Sequence, residues 1–131
     1  MSVLDTDFLV GLLRGDPDAL RKLRGLAEEG DTVVTTVINA CELYRGAFLS
    51  RAPSSARDKV ERLLRGMEQL DLASALASSI GEVSADMLRR GTPIGDFDTI
   101  IGVMARDAGQ PLITRNVGHF GRIEDLVVDA W

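Results

Sequence analysis

Short apolar runs, separated by segments of helical character, constrain this chain more than any other feature. Val3-Leu4, Thr32-Val33-Val34-Thr35, Leu112-Ile113-Thr114 and Leu126-Val127-Val128 are apolar or β-branched without alternating apolar and polar residues. A strand with one wet face alternates, whereas a strand covered on both faces reads as a continuous apolar run. Leu70-Asp71-Leu72 is read as a further short strand. Helical patterns fill the intervals. Phe8 to Leu13 is closed by Gly15, and Asp16-Pro17 opens a helix carrying Leu20, Leu23 and Leu26 that stops at Gly30. Thr36 caps a helix through Leu43 and Phe48, and Pro53 opens another through Val60 and Leu64. Ala73 to Arg90 is ended by Gly91 and Pro93, and Ile94-Gly95-Asp96-Phe97-Asp98 opens a helix ended by Gly109 and Pro111. Val117 to Phe120 reads as a loop or short turn, and Ser54-Ser55 as the most flexible stretch. The expected fold is three-layer α/β/α around a central, mainly parallel twisted sheet.

Residues 1–131 are the size of one compact domain, and 45% hydrophobic with 27% charged residues excludes a disordered chain. No window approaches the ~18 unbroken apolar residues of a membrane span. Met1-Ser2-Val3-Leu4-Asp5 has no basic region followed by a long apolar stretch, so a cytoplasmic protein without a secretory signal is expected. Cys41 is the sole cysteine, which excludes an internal disulfide and a cysteine zinc cluster; it and the methionines are read as core residues. The net charge of −5 argues against a nucleic-acid binder that works through a general basic surplus. The cations are nonetheless unusual, with thirteen Arg against two Lys. Arg is the better planar partner for phosphate, although a biased base composition would give the same ratio.

In open parallel sheets, ligands bind beyond the carboxyl ends of the strands. Asp5, Thr6 and Asp7 follow the first strand, and Glu42 lies in the helix after the second. Asp96 and Asp98 enter the Ile100 helix, and Thr114, Arg115 and Asn116 follow the Leu112 strand. With these strands adjacent, three or four carboxylates converge in one pocket. Clustered carboxylates repel and raise one another's pKa, and a hard divalent cation resolves the conflict. Such an ion can activate water and clamp a phosphodiester, which gives a net-acidic protein a route to cutting nucleic acid.

Each residue also has an ordinary structural role. Asp5 would cap a turn, Glu42 would pair with Arg45 one turn on, and Asp7 would open the first helix. Of Asp96 and Asp98 only one can cap, so Asp98 is read as the ligand and Asp96 as a cap or supporting group. Thr6, Thr114 and Asn116 are turn residues by default, Arg115 a surface or phosphate-contacting cation, and His119 a structural or rim residue. No partners for a nucleophilic triad surround His119. A haloacid-dehalogenase-like phosphatase would share Asp5-Thr6-Asp7 and Gly95-Asp96, but it needs a lysine near the site, and Lys22 and Lys59 fall in amphipathic helices. A receiver-like module would need an acceptor Asp on a middle strand and a late strand-end Lys. No dinucleotide or P-loop fingerprint is present.

Leu4-Asp5-Thr6-Asp7, Cys41-Glu42-Leu43-Tyr44-Arg45-Gly46, Ile94-Gly95-Asp96-Phe97-Asp98-Thr99-Ile100-Ile101-Gly102 and Leu112-Ile113-Thr114-Arg115-Asn116 with His119-Phe120 occur in a telling order. The ordered set resembles PIN-domain proteins, in particular the VapC-type toxins, over nearly the whole chain. The resemblance implies a Mg²⁺-dependent endoribonuclease, with Mn²⁺ as the alternative ion, acting on structured RNA such as tRNA or rRNA. It implies Asp5 and Asp98 as metal ligands, Glu42 as the third acid of the triad acting on the attacking water, and Asn116 beside them. Thr6, Asp96, Thr114 and Arg115 would steer substrate or support the acids. Many relatives carry Asp where this chain has Asn116, so one carboxylate is removed from the set while Asp5, Glu42 and Asp98 remain. The implied product ends are a 5′-phosphate and a 3′-hydroxyl. The implied partners are a VapB-type antitoxin, whose C-terminal segment blocks the site, and a second copy in a homodimer. The non-enzymatic alternative is a PIN-like domain kept for interaction alone.

Overall fold

The computed structural model describes residues 1–131. Five parallel strands, β1 (Ser2–Leu4), β2 (Val33–Thr36), β3 (Glu68–Leu70), β4 (Leu112–Ile113) and β5 (Val128–Asp129), form one sheet in the order β3-β2-β1-β4-β5. The helices are α1 (Thr6–Leu13), α2 (Pro17–Glu28), α3 (Val37–Phe48), α4 (Pro53–Arg65), α5 (Ala77–Arg89), α6 (Asp96–Asp107) and α7 (Val117–Phe120). A 3₁₀ turn at Ser74–Leu76 precedes α5. The expected three-layer architecture is present. No helix is long and apolar enough to cross a membrane.

The apolar runs lack alternation because the sheet is covered on both faces. Leu4 and Ile113 point into a cluster with Phe8, Leu9, Leu26, Leu43 and Leu64, beneath α1 to α4. Val3, Val34 and Leu112 point the other way, into a cluster with Met87, Ile101, Ala105 and Phe120, beneath α5 to α7. Val3, Leu4, Val34, Leu112 and Ile113 are all fully buried.

The chain lays down β1, β2 and β3 in one direction and then crosses to place β4 and β5 on the other side of β1. The direction of winding therefore reverses between β1 and β4, and the carboxyl ends of strands at such a switch point are where open α/β sheets bind ligands. Asp5 and Thr114 are the residues that follow those two strands.

Helix starts follow local chemistry. The Asp16 carboxylate accepts from the Asp18 N–H at 2.8 Å, with Pro17 in the first turn. Thr36 caps α3 by accepting from the Asn39 N–H at 3.2 Å.

Several expectations are corrected. The edge strand β3 ends at Leu70 rather than starting there, and β5 is Val128–Asp129 with Val127 outside it and 64% exposed. Edge strands pair on one side only, so their apolar signal is weak. Ser54 and Ser55 lie in the first turn of α4, fixed by Pro53, and are not a loop. Val117–Phe120 is one helical turn. Cys41 is exposed, because the buried stripe of α3 runs through Asn39, Ala40, Leu43 and Ala47. Met87 and Met104 are core residues, whereas Met1 is 43% exposed.

Candidate active site

Asp5 stands at this switch point, directly after β1. It leaves β1 in extended conformation as the N-cap of α1, yet its side chain makes no cap bond. The carboxyl is 5% exposed and is held from two sides. Asn39 Nδ2 donates to Oδ1 at 3.1 Å, and Thr114 Oγ1 donates to Oδ2 at 2.8 Å. Burial pushes its pKa from 3.8 up to about 7; the Thr114 hydroxyl and the Thr6 backbone bond oppose the rise, and the Asp7 and Asp98 charges add to it.

The Thr114 hydroxyl has one proton and two carboxylates in reach, with Asp7 Oδ2 at 3.1 Å. It also accepts from the Asn116 N–H at 3.0 Å. When Asp5 is protonated it can donate to Thr114, which then donates to Asp7, and every group in the chain is satisfied. Asp7 is tied further by the Arg115 N–H at 2.9 Å and by Trp131 Nε1 at 3.0 Å. Its place in the first turn of α1 fits the expected helix-opening role, and these bonds add a second one.

Glu42 joins the network through Thr6. Thr6 Oγ1 donates to Glu42 Oε1 at 2.6 Å and accepts from Asn39 Nδ2 at 3.0 Å, so Asn39 bridges Asp5 and Thr6. Thr36 Oγ1 in turn donates to Asn39 Oδ1 at 2.7 Å, which fixes the amide's orientation. The expected Glu42–Arg45 pair is present but loose, at 3.7 Å.

Asp98 approaches from α6. Asn116 Nδ2 donates to its Oδ2 at 3.4 Å, and His119 Nδ1 stands 3.0 Å from the same oxygen. His119 is half-exposed, as a rim residue should be, but it also touches a candidate acid. Neither Asp96 nor Asp98 caps α6: the N-cap is Gly95, at φ +92°, no side chain accepts from the first-turn N–H groups, and Thr99 Oγ1 donates to the Gly95 carbonyl at 2.7 Å. Asp96 is exposed. Arg115 lies with its guanidinium 3.5 Å from the centroid of the Trp131 ring and donates to Asp18 Oδ2 at 3.3 Å, so it braces the base of α2.

The expected convergence of three or four carboxylates is therefore looser than a cage. Asp5 and Asp7 share Thr114, Glu42 is linked through Thr6 and Asn39, and Asp98 acts on Asp5 through its charge. No group of three or more His, Cys, Asp and Glu side chains is close enough to enclose a metal ion. The donors are all oxygen, one of them a buried carboxyl lacking any cationic partner. Mg²⁺ takes one or two carboxylates and keeps several waters, so an open Asp5–Asp98 pair suits a hard hydrated cation. Lys22, the cation a phosphatase-like site would need, is held by Asp129 at 2.8 Å.

The sequence reading missed Asn39 and the contacts of His119 and Trp131. Asn39 carried one signal: a buried amide on an apolar helix stripe needs polar partners.

Comparison with known proteins agrees with this geometry. The PIN domain family model matches residues 2–126. A "tRNA(fMet)-specific endonuclease VapC" of Shigella flexneri is 29% identical over 129 residues, covering 98% of this chain and 96% of that protein. "Ribonuclease VapC2" of Rickettsia felis is 26% identical over the same shares. Among solved structures, DNA-bound VapBC from Salmonella typhimurium superimposes with a TM-score of 0.87 at 28% identity, covering 100% of this chain and 99% of that one. The Rickettsia felis VapBC2 complex with promoter DNA superimposes with a TM-score of 0.90 at 24% identity, over 99% and 98% of the two chains, which is a likeness of fold. With its parallel sheet, its strand-end acids and a family match across nearly its whole length, the chain belongs to the PIN-domain family.

Proposed function

We propose that this chain is a VapC-type endoribonuclease, the toxin of a VapBC pair, cutting structured RNA with Mg²⁺, or Mn²⁺, held by Asp5 and Asp98. The observation that carries it is the buried Asp5 carboxyl at the sheet's switch point, flanked by Asp7 and Asp98 and short of positive charge. The family match and the ribonuclease names of the relatives support it. The Shigella relative's name makes tRNA the first substrate class to test. The Salmonella and Haemophilus VapBC structures, each at 28% identity, support a VapB-type antitoxin as partner. A homodimer acting in the cytoplasm completes the proposal.

When bound, the cation supplies charge for the phosphodiester and a water of lowered pKa. The chain's own residues do the rest. Asn39 and Thr114 fix the two Asp5 oxygens, and Asn116 and His119 fix Asp98, so both carboxylates are oriented before substrate arrives. Thr6 holds Glu42 Oε1, and Oε2, faced only by the loose 3.7 Å Arg45 contact, orients the attacking water and takes its proton. Asn116 offers the second N–H of its amide to a phosphate oxygen without adding to the negative charge.

Purified protein incubated with total cellular RNA, with Mg²⁺ and with EDTA, beside Asp5→Ala, tests this reading by sequencing of new 5′ ends. Discrete cuts that need Mg²⁺ and vanish in Asp5→Ala are expected. Cuts that survive EDTA, or persist in the variant, overturn the assignment of the site; no cuts at all favour the interaction-only reading.

A further inference from the structure

We propose that Phe97, with Arg45 beside it, is a stacking platform for one unpaired nucleobase next to the scissile phosphate; this rests on the ribonuclease reading above and names a substrate subsite for it. Phe97 is 40% exposed and belongs to neither core cluster. No other aromatic ring packs on it: Phe8 and Phe120 are fully buried, Trp131 packs edge-on against Phe8, and the more exposed Phe48, at 59%, is stacked with Tyr44. A single exposed ring is ordinary on a protein surface. Three further facts single this one out.

The first is position. Phe97 lies in the opening turn of α6 between Asp96 and Asp98, so a base on its ring places the attached phosphate beside a candidate metal ligand. The second is the partner. The Arg45 guanidinium lies over one face of the Phe97 ring, 5.5 Å from its centroid, which leaves the other face for a base, and Arg45 is one helical turn from Glu42. An aromatic ring and an Arg plane are the two surfaces on which unstacked bases are bound. The third is shape. Glu42, Arg45, Ile94, Phe97 and Asp98 line one open depression of about 430 Å³, which joins the platform to two of the candidate acids, Glu42 and Asp98.

The electrostatics favour stacking over phosphate attraction. The chain carries a net charge of −5, and Arg45 is the single cation in a depression that also holds Glu42, Asp96 and Asp98. Purchase on the RNA must then come from contacts that do not depend on a basic surplus. Base–aromatic stacking is such a contact, and it tolerates any base because each has a π-face.

The test uses the full chain with Asp5→Asn to prevent cleavage, and single-stranded RNA decamers carrying 2-aminopurine at each position in turn. One position should be quenched on binding. Phe97→Leu, which keeps apolar bulk, should abolish that quench and weaken the Kd on the order of 10-fold, and Phe97→Trp should restore both. In the cleaving protein, Phe97→Leu should lose kcat/KM chiefly through KM. An unchanged quench and Kd in Phe97→Leu, or no recovery in Phe97→Trp, overturns the platform. Failure of the unaltered protein to cut any RNA overturns the ribonuclease reading instead, whereas cleavage by Phe97→Leu with unchanged KM overturns the platform alone.

Discussion

The Asp5 carboxyl makes a quantitative prediction about folding that needs no substrate. Its pKa is about 7 in the folded chain against 3.8 unfolded. Between those values the native state binds one more proton than the unfolded state, so stability falls as pH rises. Below pH 3.8 both states are protonated and no penalty exists; above pH 7 the full penalty is present. At 1.36 kcal/mol per unit, a difference of about 3 units amounts to about 4 kcal/mol. That is a large share of the 5–15 kcal/mol that holds a typical domain together. Asp5→Asn removes the ionisation and keeps the shape. The Asn oxygen can accept from Asn39 Nδ2, and its NH₂ can donate to Thr114 Oγ1, which then donates to Asp7. Urea unfolding of both proteins in EDTA should give similar stabilities near pH 4. By pH 8 Asp5→Asn should be the more stable, by about 4 kcal/mol at most. Titrating groups common to both proteins cancel in the difference. Adding Mg²⁺ at pH 8 should stabilise the unaltered chain and not the variant, since only the folded carboxylate binds it. Parallel stabilities from pH 4 to 8, or a less stable Asp5→Asn at pH 8, would refute the reasoning.

Asn39→Ala removes the donor that serves both Asp5 and Thr6 from a fully buried position; thermal unfolding should show a loss of about 1–3 kcal/mol, and cleavage should fall with it. Gly11→Ala gains up to about 1 kcal/mol of helix propensity. Its Cβ, however, would sit 2.8 Å from Trp131 Cη2 and 3.1 Å from Ala19 Cβ. Overpacking costs about 1–3 kcal/mol, so net destabilisation and a shift in the emission of the sole tryptophan are expected. Single-turnover cleavage should slow less in Asn116→Ala than in Asp5→Ala or Asp98→Ala, because the 3.4 Å hydrogen bond that Asn116 Nδ2 donates only orients Asp98, a carboxylate that remains; the reverse order would mean the metal ligands are misassigned.

The parts of this fold legible in the sequence are those in which one residue's chemistry suffices. Val3-Leu4 and Leu112-Ile113 are apolar because both faces of the sheet are covered, and that condition is written into each strand. Asp5 and Glu42 stood out because a carboxylate beside a buried strand or on an apolar helix face needs a reason to be there, whereas Asp98 was set apart from Asp96 by a capping argument that fails, since Gly95 is the N-cap of α6. Edge strands β3 and β5 were displaced by one or two residues because half of their surroundings is solvent. Cys41 was misplaced because α3 is apolar on more than one side, and only the packing of Leu43 and Ala47 selects the buried stripe. The hydrogen bonds that set the site's protonation lie one step further away. Thr114 reaches Asp5 across 109 residues and Trp131 reaches Asp7 across 124, so no local pattern contains them. The same reasoning explains Asn39: its burial was legible, but its function depends on Thr6 and Asp5 arriving from a neighbouring strand end. A strand-end acid can thus be found from sequence, whereas its charge state at neutral pH is a property of the contacts that the fold brings to it.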